Sequence, residues 1–422
     1  MKVGHKIARW AAVGAVVASA LGGAAATSAT GAPAQRAVKT AFALRGFAYG
    51  TWEQGTDQNS GKTALTVVSC TSLAGLSHVN QLLGVDPPSG IAAINGVRSH
   101  SWTTAHQGTV SSWSSNKIHS VVLADLPAGT LKLSGIVARS HVWHDAQGYH
   151  SDGTTSLGSI KLDTPGGVVS FPVPLPGQTV TVPGVGSIKR GDPSETSDGK
   201  HATANSNALV LTQQSNASKT NIAHATARID ANPHGGIFNG SAYSSRLTAL
   251  DGTVRSGPTS LKLMPCTGTR GQLLTTSTVS DSIPSIGTIN GQHSSVKGAH
   301  HKNGSASGVT RNRVDKAHLV GGALVISNIR AVAHVTMTAG GKWLKSAAGT
   351  TVGKIKFNGQ TLATPEPGIP LKIPGVANIF YKDVHKGKHG LVVNALKIKW
   401  LYQAAGHTTM LLGHAQLKIS PQ

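Results

Sequence analysis

Two cysteines are the residues of this chain whose covalent chemistry is easiest to assign. Cys70 and Cys266 are too few and too far apart for a thiolate metal site, which needs more thiols or a close Cys/His spacing. In an exported chain such a pair indicates a disulfide. The alternative is two buried free thiols, each at the equivalent position in the core of one of two similar domains.

Histidine is plentiful, with 20 residues, and His141, His144 and His150 form the densest group. Residues three apart on a strand point to opposite faces, so His141 and His144 cannot share a metal ion without a bend. His144 and His150 could meet across a hairpin. Solvated strand histidines are the simpler interpretation, and we predict no metal site and no cofactor.

Catalytic motifs are missing from the sequence. Gly61-Lys62-Thr63 resembles the end of a phosphate-binding loop, but five residues rather than four separate Gly55 from Gly61, so a turn is predicted. The closest match to the nucleophile elbow of a hydrolase, Gly304 to Gly308, has Ala306 at its centre. We predict no catalytic residue and keep a hydrolase with an unrecognised site as an alternative.

An internal duplication is the most informative feature of the chain. A Ser-Gly-x-Thr stretch that leads to Cys-Thr occurs at residues 60–71 and again at 256–267. Further matches follow in the same order, at residues 131–142 and 324–335, 182–185 and 373–376, 207–209 and 394–396, and 224–225 and 414–415. We predict two homologous domains, 44–230 and 239–420, joined by a linker at 231–238 that contains Asn-Pro-His-Gly-Gly.

One asparagine and one histidine recur at matched positions: Asn207 and His224 in the first copy, Asn394 and His414 in the second. Each pair brackets a turn-like stretch, which predicts that its two residues face each other on paired strands. A hydrogen-bonded structural pair is the simplest interpretation, and a polar ligand site is the alternative.

The elements that carry these residues should be strands. Apolar residues alternate with Ser, Thr, Lys or His, as in half-buried strands, at residues 116–126, 131–143, 156–162, 178–188, 202–213 and 221–229. Pro-Gly dipeptides between such segments suit tight turns. We predict an all-β protein of two homologous β-sandwich or β-roll domains, and the periodicity leaves sandwich and roll open.

The N-terminus predicts export. Lys2, Lys6 and Arg9 precede an apolar run from Ala11 to Ala26 that is too short and too weakly hydrophobic for a convincing membrane anchor. Residues 1–34 are therefore predicted to be a signal peptide and a leader of small residues. We expect no transmembrane anchor in the mature chain.

The charge balance is strongly basic. The chain has 38 Lys or Arg against 16 Asp or Glu, a net charge of +22. Loss of residues 1–34, which contain three basic residues and no acid, would leave +19. A charged partner should therefore be anionic.

The chain resembles the choice-of-anchor P family of secreted proteins from high-GC Gram-positive bacteria. The resemblance rests on four features: the predicted signal peptide, the Ser-Gly-x-Thr stretch that ends in Cys-Thr, the Pro-Gly-Val turn at residues 183–185, and the Asn-Ala-Leu to Gly-His-Ala tail at 394–415. The resemblance covers most of the mature chain. It implies an extracellular location and a β-rich body of unestablished activity. Members carry variable C-terminal anchors, and this chain departs from them because residues 417–422 match none.

We therefore expect a secreted, non-catalytic protein, extracellular or loosely associated with the cell wall, that is retained by charge on anionic cell-wall polymers or polysaccharide. Trp52, Trp102, Trp113 and Trp143 make a carbohydrate-binding module or adhesin the alternative, since exposed rings can grip sugars. No recognition helix or RNP-like motif is visible, so specific nucleic-acid binding is not expected.

Overall fold

The computed structural model describes residues 37–55, 61–85, 91–126, 129–182, 186–213, 218–231, 235–249, 254–255, 257–283, 286–401 and 408–421. Every regular element in these ranges is a β-strand, which confirms the predicted all-β class. A search of the same residues for a helix long and apolar enough to cross a membrane finds none. The predicted leader at residues 1–34 and the Pro-Gly-Val turn at 183–185 lie outside the described residues.

The strands of the first half are β1 (Val38–Gln54), β2 (Thr66–Ala74), β3 (Ser77–Val85), β4 (Ala93–His106), β5 (Thr109–Leu126), β6 (Gly129–Asp145), β7 (Gly148–Ser156), β8 (Ser159–Thr164), β9 (Gly167–Phe171), β10 (Thr179–Val182), β11 (Gly186–Arg190), β12 (Ser194–Ser197), β13 (His201–Gln213) and β14 (Lys219–Ala231). They form two seven-stranded antiparallel sheets. Sheet 1 has the order β10-β11-β13-β14-β1-β2, with β12 beside β13. Sheet 2 has the order β3-β4-β5-β6-β8-β9, with β7 beside β6.

The strands of the second half are β15 (Ile237–Ala249), β16 (Val254–Arg255), β17 (Lys262–Leu263), β18 (Leu274–Ile283), β19 (Gly287–His300), β20 (Ala306–Leu319), β21 (Leu324–Met337), β22 (Trp343–Ser346), β23 (Ile355–Phe357), β24 (Gln360–Leu362), β25 (Leu371–Ile373), β26 (Ala377–Lys386), β27 (Gly390–Trp400) and β28 (Thr409–Ser420). Sheet 3 has the order β16-β15-β28-β27-β26-β25, with β17 beside β15. Sheet 4 has the order β18-β19-β20-β21-β23-β24, with β22 beside β21.

The sheets pack face to face in pairs, sheet 1 on sheet 2 and sheet 3 on sheet 4. Strict alternation along the strands makes this possible; in β13, for example, every second residue from Ala202 to Ser206 is buried. Among the described residues, the inward side chains form two apolar clusters between sheets 1 and 2 and another between sheets 3 and 4. Burial of each large aliphatic side chain contributes about 1.5–3 kcal/mol.

This arrangement agrees with the sandwich form of the prediction. The strand order β13-β14-β1-β2 of sheet 1 has its counterpart in β27-β28-β15-β17 of sheet 3. The common ancestry of the halves and the domain boundaries stay predictions.

One predicted strand is wrong. Residues 178–188 do not run as a single strand, because β10 and β11 pair antiparallel, with Val182 opposite Gly186. The chain therefore reverses direction between them. The Pro-Gly dipeptide at 183–184 was a stronger signal than the alternation on its two sides.

The described ends of the two Ser-Gly-x-Thr stretches contain turns, at residues 63–64 and 259–260. Thr63 exchanges backbone hydrogen bonds with β1, and Thr259 does the same with β15. The next residues, Ala64 and Ser260, both have a φ of 47°. Each threonine hydroxyl also binds a hydroxyl of its strand, at 2.9 Å for Thr63 and 2.8 Å for Thr259. The stretches therefore anchor the first strand of each half.

The two halves meet at matched positions. The predicted disulfide joins Cys70 on β2 to Cys266, with the Cα atoms 5.2 Å apart. Ala43 and Ile237, at corresponding positions of β1 and β15, complete a small buried cluster with the two cysteines. The backbones of Gly61 and Gly257 lie so close that a Cβ on either would collide with the other segment.

Candidate functional site

The matched Asn and His residues do lie on paired strands. In sheet 1, His224 stands between Tyr49 and Asn207, and its ring stacks on Tyr49 with the centroids 4.6 Å apart. His224 Nε2 lies 2.9 Å from the Thr226 hydroxyl. Asn207 donates instead to Asn221 Oδ1, at 2.7 Å. The first pair therefore faces each other without a mutual hydrogen bond.

The second pair is directly bonded. His414 Nδ1 donates to Asn394 Oδ1 at 2.7 Å, and Asn394 Nδ2 donates to Asp383 Oδ2 at 3.0 Å. The His414 ring stacks on Tyr243, with the centroids 4.1 Å apart. A tyrosine therefore stacks on the histidine in both halves, and the Asn and His side chains bond to each other in the second half.

Burial keeps these two histidines neutral. It lowers the pKa of His224 to about 3, with a smaller contribution from the charge of Lys62. It lowers the pKa of His414 to about 3 as well, with a smaller contribution from Arg246. At these two sites the unfolded chain therefore binds more protons than the folded chain between pH 6.5 and pH 3, so each site contributes a fall in the free energy of unfolding as the pH falls through this window.

We expect His224→Phe, which keeps a ring against Tyr49, to flatten this pH dependence. The Tm difference between pH 7 and pH 4.5 should become smaller than in the parent chain, because one site of preferential proton binding in the unfolded state is lost. His106→Gln, at an exposed strand end, is the matched control. Burial raises the pKa of Asp281 to about 7, and this group makes the free energy of unfolding change with pH in the direction opposite to the histidines. Each variant is therefore compared with the parent chain rather than with an absolute slope. An unchanged difference for His224→Phe would contradict the assignment.

A row of six stacked rings crosses sheet 2. It runs over four neighbouring strands, and its members are His100, Trp102, Trp113, His141, Trp143 and His150. Successive planes are within 23° of parallel. At one end Asp145 binds Trp143 Nε1 at 3.1 Å and His150 Nε2 at 2.9 Å.

This aromatic row differs from a sugar-binding platform. A sugar ring packs on an open aromatic face, whereas here the faces of the inner rings are covered by their neighbours. His144 lies outside the row, against Phe42 and Tyr149, so it does not meet His150 across the hairpin. Among the described residues no group of three or more His, Cys, Asp or Glu side chains is placed to hold a metal ion.

Basic side chains face each other on the outer surfaces of sheets 2 and 4. In sheet 2, Arg98 lies opposite Lys117 and Lys132 lies opposite Lys161, and all four side chains are exposed. In sheet 4, Arg313 lies opposite both His293 and Arg330 on the neighbouring strands. Like charges directly opposite each other destabilise a sheet, so the pairs of Arg and Lys among these residues lower the stability of the protein in the absence of an anion.

His293, Arg313 and Arg330 line a trough of about 640 Å³ on sheet 4. The trough is also lined by Arg311 and by the hydroxyl residues Thr275 and Ser277. Asp315 pairs with Arg313, with Nε to Oδ1 at 2.8 Å. Arg311 Nε is buried and has no hydrogen-bond partner. The trough therefore offers several N–H and O–H donors to an anionic group, with one carboxylate in partial compensation.

We expect Arg330→Gln to stabilise the protein in low salt by a few tenths of a kcal/mol, because it removes a like-charge opposition across two strands. The measurement is urea unfolding at about 0.02 M and about 0.5 M salt, since screening should abolish the gain. Lys386→Gln removes the same charge from an exposed residue without an opposing cation in its strand pair and serves as the control. A loss of stability in low salt would contradict the expectation.

Comparisons with known proteins leave the family open. No family model matches the chain, and no curated protein matches it. A solved structure, of a "putative AttH" from Nitrosomonas europaea, aligns over 89% of this chain and 92% of its own, at 8% identity and a TM-score of 0.10. A score this low is insufficient to show a shared fold. The resemblance to the choice-of-anchor P family therefore stays a prediction.

Sequence reasoning missed the trough. Arg311 and Arg313 alternate with buried residues along β20, and this alternation was a visible signal that both point to one face. Their alignment with His293 and Arg330 depends on the strand register, which single-strand periodicity does not define.

Proposed function

We propose that this is a secreted, non-catalytic protein that is retained at the cell envelope by charge, through the basic outer faces of sheets 2 and 4, on anionic cell-wall polymers or polysaccharide. The like-charge pairs across neighbouring strands carry the proposal. Arg98 on β4 faces Lys117 on β5 in the first half. Arg313 on β20 faces Arg330 on β21 in the second half. A bound polyanion would offset the repulsion that these pairs create.

The net charge of the whole chain, the predicted leader and the family resemblance support the same proposal. A mature charge of +19 attracts polyanions over about 10 Å at 0.1 M salt and over about 3 Å at 1 M. The predicted leader at 1–34 and the resemblance to secreted proteins support a location outside the cell. The aromatic row, whose ring faces are mutually covered, gives the carbohydrate-binding alternative no comparable support.

The test is sedimentation of the mature protein with isolated Gram-positive cell walls and, separately, binding to dextran sulfate with neutral dextran as the control polymer. We expect retention at 0.1 M salt, loss at 1 M salt and no binding to dextran. The double variants Arg98→Ser/Lys117→Ser and Arg313→Ser/Arg330→Ser should each bind dextran sulfate about tenfold more weakly, equivalent to about 1.4 kcal/mol.

Lys372→Ser/Lys386→Ser is the matched control, because it removes the same charge from exposed positions that do not face each other. It should lose much less affinity than the two face variants. Retention that survives 1 M salt, binding to neutral dextran, or equal losses in all three double variants would each overturn the proposal.

A further inference from the structure

A groove lies where the two halves meet, beside the disulfide. It consists of two adjoining cavities of about 230 Å³ and 350 Å³, which share Leu65, Val67, Arg246 and Pro258. Strands β1, β2, β15 and β28 supply much of the smaller cavity. None of the described residues that line either cavity is acidic.

Arg45 lines the smaller cavity with its charge uncompensated at close range. Asp230, whose charge acts on Arg45, is itself held by Arg228 through Nε at 2.9 Å and Nη2 at 2.5 Å. Among the described residues no side chain accepts a hydrogen bond from the Arg45 guanidinium group, whose Cζ lies 5.5 Å from the Phe47 ring centroid. Burial, and then the charge of Arg228, lower the pKa of Arg45 to about 10. An anion in the cavity would reverse this penalty.

Two more cations line the groove. Arg246 borders both cavities and adds its positive potential to that of Arg45. Lys62 borders the larger cavity, with Nζ 3.9 Å from the Trp52 ring centroid and 5.3 Å from that of Tyr49. Burial lowers the pKa of Lys62 to about 8. The groove is therefore a partly desolvated site of positive potential, where a charge-assisted hydrogen bond is stronger than at an open surface.

Five aliphatic side chains line the smaller cavity beside its polar residues, among which are Ser69, Asn239 and Gln416. Leu261, Leu263 and Met264 form one side, and Leu65 and Val67 form the other. A fully hydrated inorganic anion would leave these walls without a partner, whereas a short aliphatic chain would cover them. We propose that the groove binds an amphipathic anion, an aliphatic chain that ends in a carboxylate, with the carboxylate on Arg45 and Arg246 and the chain against Leu261, Leu263 and Met264.

The experiment is calorimetric titration of the mature, disulfide-bonded protein with octanoate, octan-1-ol and acetate. We expect octanoate to bind once per chain with a Kd of about 0.1–1 mM. Octanol lacks the charge and acetate lacks the chain, so each should bind at least tenfold more weakly. This comparison uses the parent protein and does not depend on whether any variant folds.

Arg246→Gln and Arg45→Gln should each weaken octanoate binding at least tenfold. Arg270→Gln removes the same charge at an exposed turn outside the groove and should bind like the parent. Arg313→Ser/Arg330→Ser should also bind octanoate normally, which separates this site from the basic faces. Equal binding of octanoate and acetate, or unchanged octanoate binding in both groove variants, would overturn the proposal.

Discussion

Replacing both cysteines, Cys70→Ser/Cys266→Ser, should lower the free energy of unfolding by up to about 5 kcal/mol. The bond closes a loop across a sequence separation of 196 residues, and in the chain-entropy model a loop of this length removes about that much freedom from the unfolded chain. The effect is large because the bond joins the first half of the chain to the second. It is among the largest losses expected from any change outside the cores.

The burial of the two cysteines determines how this loss should be measured. The cysteines lie in a buried cluster with Ala43 and Ile237, so serine also introduces a polar group there. Guanidinium unfolding of the parent chain, with and without a reductant present throughout, separates the contribution of the bond from that of the serines. Equal stability of the oxidised and reduced parent would contradict the expectation, because the loop constraint would then be contributing nothing.

Much of the fold could be predicted because short motifs recur in the same order in the two halves of the sequence. Alternation of apolar and polar residues indicated strands such as β5, β6, β13 and β14, and the matched order of motifs indicated two similar halves. The disulfide followed from the matched positions of Cys70 and Cys266, since corresponding residues of two similar halves can meet near an axis between them. Asn207 and His224 were placed on paired strands by their positions about one turn.

The candidate sites could not be predicted in the same way, since they depend on relations between strands that are distant in sequence. Arg313 meets Arg330 only because β20 and β21 pair in one register, and a shift by one residue would send each side chain to the other face. The aromatic row likewise requires four strands in register. The groove requires more, because Arg45 and Arg246 come from different halves and meet only through tertiary packing.

Gly257→Ala should be strongly destabilising, by about 3 kcal/mol or more. A Cβ at Gly257 would lie 1.7 Å from the Lys62 carbonyl oxygen and 2.4 Å from the Lys62 carbonyl carbon. These atoms belong to the backbone, so no rotamer change can relieve the collision, and the two turn segments would have to separate. The separation would also disturb Thr259, whose hydroxyl binds Ser245 and Gln292 at 2.8 Å each.

Gly340→Ala is the matched control, because a Cβ there meets nothing within 4 Å and its φ is not in the left-handed region. That variant should unfold like the parent chain in urea, or slightly later, since alanine restricts the unfolded chain. Gly61→Ala should fall between the two, because its Cβ would lie 2.6 Å from the Gly257 carbonyl oxygen. The order of the three losses of stability is the decisive result, because it should follow the distance of closest backbone approach at each glycine. If alanine were simply tolerated poorly in this chain, all three variants would lose similar stability. If Gly257→Ala were as stable as Gly340→Ala, the two turns could not be in backbone contact. Lys62, Gly257 and Pro258 would then not line one groove.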